Sequence, residues 1–149
     1  MNELTIRPME IGDVDQVIEV DKASFSTSWT PDIFYQEISE NEYAHYYIVE
    51  TEEEVIGYAG AWIVYEDAQI TNIAIKPAYR GKKIGKRLFQ FMLQLASSAG
   101  AEWLSLEVRA SNVVAQQMYR SFGLVPGGVR KNYYTNNNED AIVMWVSFI

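Results

Sequence analysis

The chain of 149 residues contains no cysteine and a single histidine, His45. Without cysteine there is no disulfide, no thiolate metal site and no thiol nucleophile. One histidine alone does not make a metal site, so a metal-free protein is the expectation. No apolar run approaches the roughly 18–20 residues that span a bilayer. The first residues, Met1–Arg7, mix polar and apolar side chains, unlike a signal peptide. There is no internal repeat and no low-complexity tract. These absences leave a cytoplasmic globular protein as the expectation, with no membrane partner and with residues 1–149 forming one domain.

Positive charge is also scarce, and it is unevenly placed. Residues 1–67 hold 16 of the 20 acids and only Arg7 and Lys22 as bases, a net charge of −14. Residues 68–149 carry 4 acids and 10 bases, a net of +6, and the whole chain sums to −8. A nucleic-acid binder spreads basic charge over a wide face, which this chain does not do. The pattern suits one compact anionic ligand on the second half and a cationic partner near the first.

Five of the 12 basic residues fall within Arg80, Gly81, Lys82, Lys83, Ile84, Gly85, Lys86 and Arg87. This segment lies between an apolar strand, Ile70–Ile75, and an amphipathic helix starting near Gly85 and running to Ala99. Free N–H groups at a helix start, glycines and local cations make a phosphate cradle. The nucleotide P-loop is excluded, because Gly81 and Gly85 enclose only three residues and Arg87 stands where a hydroxyl is needed. The dinucleotide fingerprint needs a different glycine spacing.

Periodicity supplies the rest of the outline. Leu4–Arg7 reads as a strand. A helix capped by Asp13 turns Val14, Val17, Ile18 and Phe25 inward. Thr30-Pro31 starts a second helix. Ala44–Glu50 and Val55–Tyr65 read as a hairpin. Trp103–Arg109 is a strand, and Asn112–Phe122 a short helix closed by Gly123. Leu124–Lys131 and Ala141–Phe148 are strands around a polar loop, Asn132–Asp140. The order β-α-α-β-β-β-α-β-α-β-β predicts an α/β (α+β) fold, with a mixed central sheet of about seven strands and helices on both faces.

Residues 80–85 resemble the acyl-CoA pyrophosphate loop of the GCN5-related N-acetyltransferases (GNAT), [RQ]-x-x-G-x-[GA], with Lys83 in place of the first glycine. Further along, Leu106-Glu107-Val108-Arg109-Ala110-Ser111-Asn112, Ala115, Met118-Tyr119, Phe122-Gly123 and Leu124 resemble that superfamily's second signature. Phe25…Trp29, Asn72-Ile73-Ala74-Ile75 and Arg130-Lys131-Asn132-Tyr133-Tyr134 extend the likeness over nearly the whole chain. Within the superfamily it is most similar to the bacterial ribosomal-protein alanine N-acetyltransferases (the RimI type). The resemblance implies the GNAT fold and transfer of acetyl from acetyl-CoA to the N-terminal amine, an alanine, of a basic small-subunit ribosomal protein. Further proteins in a complex stay open.

Amine acetylation needs a neutral amine, a donor for the thioester oxyanion and a proton for the leaving thiolate. Glu107 is the only acid on an otherwise apolar strand and is the candidate general base; an ion pair with Arg109 is its other reading. The resemblance gives Tyr119 the role of general acid, against a purely packed core tyrosine. Asn112 either caps a helix or touches CoA. By resemblance, the backbone of Ile73, Ala74 and Ile75 pairs with the pantetheine, and Arg80, Gly81, Lys82, Lys83, Ile84, Gly85 and Lys86 hold the pyrophosphate. Phe25, Trp29, Tyr133 and Tyr134 are implied to line the peptide groove, though Phe25 and Trp29 also read as core. Two other activities stay open: acetylation of lysine or a small amine, and acyl-CoA binding without catalysis.

Overall fold

The structure, a computed structural model, describes residues 3–24 and 29–149. Strand β1 (Thr5–Pro8) leads through a short 3-10 turn into helix α1 (Val14–Ser24), followed by α2 (Pro31–Glu40). Strands β2 (Ala44–Glu50), β3 (Val55–Val64) and β4 (Asp67–Ile75) form an antiparallel meander. Helix α3 (Ile84–Ser98), strand β5 (Trp103–Arg109), helix α4 (Val113–Ser121) and strands β6 (Val125–Tyr134) and β7 (Glu139–Ser147) complete the order expected from the sequence. The seven strands make one sheet in the order β1-β2-β3-β4-β5-β7-β6.

The helices cover the sheet on both sides, and each side has its own core. Val14, Val17 and Phe34 from α1 and α2 pack with Ile48 and Tyr58, all fully buried. On the opposite face Leu88, Phe89 and Met92 of α3 pack with Leu104, Leu106 and Tyr119. Burying a side chain of this size contributes about 1.5–3 kcal/mol. Phe34 therefore does more than fill space: it draws the start of α2 onto the sheet and packs Trp29 against itself, ring centroids 5.1 Å apart.

Helix starts are set by local chemistry. Thr30 caps α2, its hydroxyl accepting from the Ile33 N–H, and Pro31 fills the first turn as expected. Asp13 differs from the expectation. It does precede α1, but its carboxylate accepts from the Glu10 N–H and pairs with Arg7 at 2.8 Å instead of capping the helix. Arg7 also reaches Glu50 at 2.7 Å, tying β1 to β2. The last strands are longer than the sequence suggested, so the polar loop shrinks to residues 135–138. Cross-strand pairing with β7 carries β6 to Tyr134.

The central strands do not stay paired. β4 and β5 run parallel through only three register pairs, Asp67–Trp103, Ala68–Leu104 and Gln69–Ser105. Beyond them the strands part. The register of β3 against β4 slips at the same height: Gly60 faces Asn72 and Ala61 faces Ile70, which leaves Thr71 as the extra residue of a bulge. A bulge bends its strand and sharpens the local twist. Gly60 is needed there, because a Cβ on it would lie 2.1 Å from the Tyr46 ring. The Tyr46 hydroxyl stands 3.4 Å from Thr71 Oγ1 and donates to Glu37 of α2 at 3.2 Å, so the bulge is held from the helix above.

Candidate active site

The parted strands open a cleft of about 510 Å³. Its walls include Ile73 from β4, Glu107 and Arg109 from β5, Asn112 and Tyr119 at α4, Trp29 ahead of α2, and Tyr133 and Tyr134 from the end of β6. All of these except Arg109 are site residues expected from the sequence. Ala74 and Ile75 continue along β4 but do not line the cleft, nor does the segment 80–86. Phe25 lies outside the described residues.

Glu107 sits on the sheet face opposite Leu106 and Val108, which point into the α3/α4 core. Its carboxylate pairs with Arg130 of β6 at 3.0 Å, not with Arg109. Arg109 has other work. It pairs with Glu139 at 3.3 Å, donates to Asn136 at 3.0 Å and lies 4.0 Å over the Tyr134 ring. Sharing a strand face with Glu107 was not enough to pair the two, because β7 and β6 bring better-placed partners to each. The Glu107 carboxylate, ahead of burial, also raises the pKa of the nearby Tyr133 phenol.

Two neighbouring strand residues ordinarily point to opposite faces. Tyr133 and Tyr134 nevertheless both line the cleft. The backbone explains it: Asn132 has a φ of 53°, and the β6–β7 register slips between Arg130 and Tyr134. The two rings meet edge to face at 5.1 Å.

Tyr119 combines both of its sequence readings. Its ring packs on Phe89 at 4.9 Å in the α3/α4 core, yet it also lines the cleft. Burial pushes its pKa up to about 12, so the phenol keeps its proton throughout the neutral range. Asn112 caps α4, its Oδ1 accepting from the Ala115 N–H at 3.1 Å, and lines the cleft too.

The basic segment follows directly from the free end of β4. Arg80 Nε donates to the Ile75 carbonyl at 3.0 Å, pinning the segment to the strand. Lys83 is the residue before α3 and is left-handed, with a φ of 64°. Gly81 is also left-handed, with a φ of 77°. An L-residue pays about 1–2 kcal/mol for this conformation and glycine does not, which accounts physically for the glycine that the resembled motif carries at position 83. No side chain caps α3, so the N–H groups of Ile84, Gly85 and Lys86 remain for an anion.

Three polar residues beneath the acceptor side were not nominated from the sequence. Asp21 is 1% exposed, and its carboxylate accepts from the Tyr58 hydroxyl at 2.5 Å and from the Trp29 N–H at 2.9 Å. Burial raises the Asp21 carboxyl, and burial followed by the Asp21 charge raises Tyr58. Asn72 of β4 lies beside the same Tyr58 hydroxyl and opposes part of that rise. Its own Oδ1 is buried without a hydrogen-bond partner among the described residues. Asp21 had a readable signal: it falls on the inward stripe of Val14, Val17 and Ile18, where an acid is out of place. Asn72 had none.

Among the described residues, no group of three or more acidic, histidine or cysteine side chains is arranged to hold a metal ion.

Comparison with known proteins adds kinship to this geometry. The Acetyltransferase (GNAT) family profile matches residues 14–124. The chain is 53% identical, over 95% of its length and 94% of the relative's, to a Bacillus subtilis protein provisionally named ribosomal protein bS18-alanine N-acetyltransferase. It is 29% identical to the Escherichia coli ribosomal protein bS18-alanine N-acetyltransferase, over 94% of this chain and 95% of that one. The crystal structure of the ribosomal-protein-S18-alanine N-acetyltransferase from Escherichia coli superposes with a TM-score of 0.89, covering 97% of this chain and 94% of the other at 27% identity. The Ard1 structure from Thermoplasma volcanium shares the fold, with a TM-score of 0.87 at 23% identity over 98% of each chain.

Proposed function

This chain belongs to the GNAT family of acetyltransferases, which use acetyl-CoA, and from that premise we propose that it acetylates the N-terminal α-amine of a protein. By kinship with the bS18-directed relatives, the substrate is a ribosomal small-subunit protein beginning with alanine. A ribosomal substrate implies a cytoplasmic enzyme. Among the described residues, no helix is long and apolar enough to cross a membrane.

One observation carries the reading: pairing of β4 with β5 stops at Gln69–Ser105, and the gap beyond it is lined by an acid, a protonated phenol and an aromatic rim. The open edge of β4 at Ile73–Ile75 leaves backbone groups for the pantetheine amides and for the thioester oxygen. The amine attacks the thioester carbon, forming the C–N bond. Its proton leaves to Glu107 through a water, the C–S bond breaks, and Tyr119 donates to the CoA sulfur. An α-amine has a pKa of about 7.7–8.0, so near neutrality a carboxylate acting through one water suffices to take its proton. Trp29, Tyr133 and Tyr134 hold the first residues of the peptide. The loop 80–86 holds the pyrophosphate with backbone N–H groups and cations.

Incubation with acetyl-CoA and a panel of peptides, read by mass spectrometry, tests this. An alanine-starting peptide with basic residues after the first position is expected to be acetylated at its N-terminus. The same peptide N-blocked and carrying lysine is expected to stay unmodified; its acetylation would move the assignment to lysine. Helices α1 and α2 carry Asp15, Glu19, Asp32 and Glu37, and Glu37 accepts from the Trp62 indole of the cleft wall at 2.8 Å. Rates should therefore fall with added salt, whose screening length is about 10 Å at 0.1 M, and with acidic peptides. Indifference to both would sink electrostatic steering.

Lys83→Gly should leave the KM for acetyl-CoA nearly unchanged, because the backbone N–H groups of the cradle survive. The relief of left-handed strain and the entropy that glycine adds to the unfolded chain oppose each other, so stability moves by less than about 1 kcal/mol. A large rise in KM would make the Lys83 ammonium part of the cradle.

A further inference from the structure

We propose that Glu37 of α2 and Trp62 of β3 form a subsite for a cationic side chain of the acceptor peptide, arginine or lysine, about three or four residues past the acetylated end. The inference rests on the N-terminal acetyltransferase reading above and adds to it the residues that select the substrate beyond its first position.

The cleft does not end at Glu107. Gln69 pairs with Ser105 on one side and with Trp62 on the other, so Trp62 stands beside the closed end of the gap. Its ring lines the same cavity as Glu107 and is 37% exposed. By strand spacing the two residues lie about 12 Å apart, two strands across and two residues along. An extended peptide advances about 3.3 Å per residue, which gives the stated position.

The ring is held in place. An indole nitrogen only donates, and that of Trp62 donates to Glu37 Oε2 at 2.8 Å. The same carboxylate accepts from the Tyr46 hydroxyl at 3.2 Å and from Asn41 Nδ2 at 3.3 Å. All three donors are neutral. Elsewhere the acids meet cations: Asp13 and Glu50 share Arg7, Glu54 has Lys76, and Glu139 has Arg109. Glu37 is half-buried, and among the described residues no lysine or arginine forms an ion pair with it. It has hydrogen bonds but no counter-ion.

An exposed aromatic face with such a carboxylate at its edge is complementary to a side-chain cation. The cation gains from the ring and from the acid together. The long stems of lysine and arginine lie along an apolar surface while the charged head reaches past it. An apolar side chain would gain from the ring alone, and an acidic one would be repelled. Unlike the diffuse attraction of the acidic helices, this contact acts at one peptide position.

The test is a scan of alanine-starting peptides, otherwise uncharged, that carry one arginine or its neutral isostere citrulline at successive positions after the first. The ratio of kcat/KM within each pair is read by acetyl-CoA turnover. In wild type one position is expected to prefer arginine about fivefold or more, as an exposed cation–π contact and a surface ion pair combined would give. Glu37→Gln keeps an acceptor for the Trp62 indole and removes only the charge, so it should flatten that peak. Trp62→Leu should flatten it by removing the ring. Glu40→Gln deletes the same charge from the same helix and should leave the peak in place, which separates contact from general field. A flat scan in wild type, a peak unchanged in both Glu37→Gln and Trp62→Leu, or a peak lost equally in Glu40→Gln would overturn the subsite and leave N-terminal acetylation standing. If wild type acetylates none of the peptides at the N-terminus, the functional reading falls and this inference with it.

Discussion

Replacing Glu107 with Gln is expected to lower kcat by about 10²–10⁴, the usual worth of a positioned general base. The change keeps the side chain's size and its place between Arg130 and Tyr133, so acetyl-CoA affinity should barely move. The deficit should also depend on pH in a defined direction. Below about pH 8 much of the amine is protonated and needs the base. Above that it is already neutral, and hydroxide takes over the proton, so the mutant should recover toward wild type as pH rises. Steady-state kinetics from pH 6 to about 9.5 would show it. A mutant as fast as wild type across that range would remove Glu107 from the role and leave its bond to Arg130, 3.0 Å away, as a structural ion pair.

The second large effect is expected from Tyr119→Phe. One oxygen is lost, and the ring's packing on Phe89 is kept. The melting temperature should hardly change while kcat falls by about 10²-fold, the lower end for general acid catalysis. The phenol titrates at about 12 because it is buried. Wild type should therefore show no loss of rate from Tyr119 ionising below pH 10. Stability behaves differently. The folded pKa is raised above the unfolded value of about 10, so the contribution is full below pH 10 and is lost as pH climbs from 10 toward 12. The phenylalanine variant should lack that alkaline loss. Equal turnover in the two proteins would make Tyr119 a core residue only.

Much of this was readable in the chain. The apolar spacing of Leu88, Phe89 and Met92, the Thr30-Pro31 start and the alternation along Trp103–Arg109 each follow from local rules, and the observed elements agree. Glu107 stood out as an acid on an apolar strand. What was not readable depends on register between strands far apart in sequence. Arg130, not Arg109, meets Glu107 because β6 and β7 pair as they do. The Thr71 bulge depends on Gly60 and on the Tyr46 ring that fills its place. Tyr133 and Tyr134 share the cleft through a backbone turn at Asn132 that no composition rule signals. The Tyr58–Asp21 bond likewise joins β3 to α1 between residues far apart in sequence.

The gap between β4 and β5 has a consequence for how such a protein changes over time. Tyr119 from the α3/α4 core and Trp29 from the other face both line it, and the two faces are built from different stretches of chain. The groups read as handling the acetyl donor come from residues 73–119, and those read as meeting the acceptor come mostly from residues 21–62 and 130–134. A drift in the second set, at Trp29 or the paired tyrosines, can retune what is modified while the donor half stays fixed. The same division makes the acceptor segments natural units for grafting, with acetyl-CoA turnover as the control that the chassis survived.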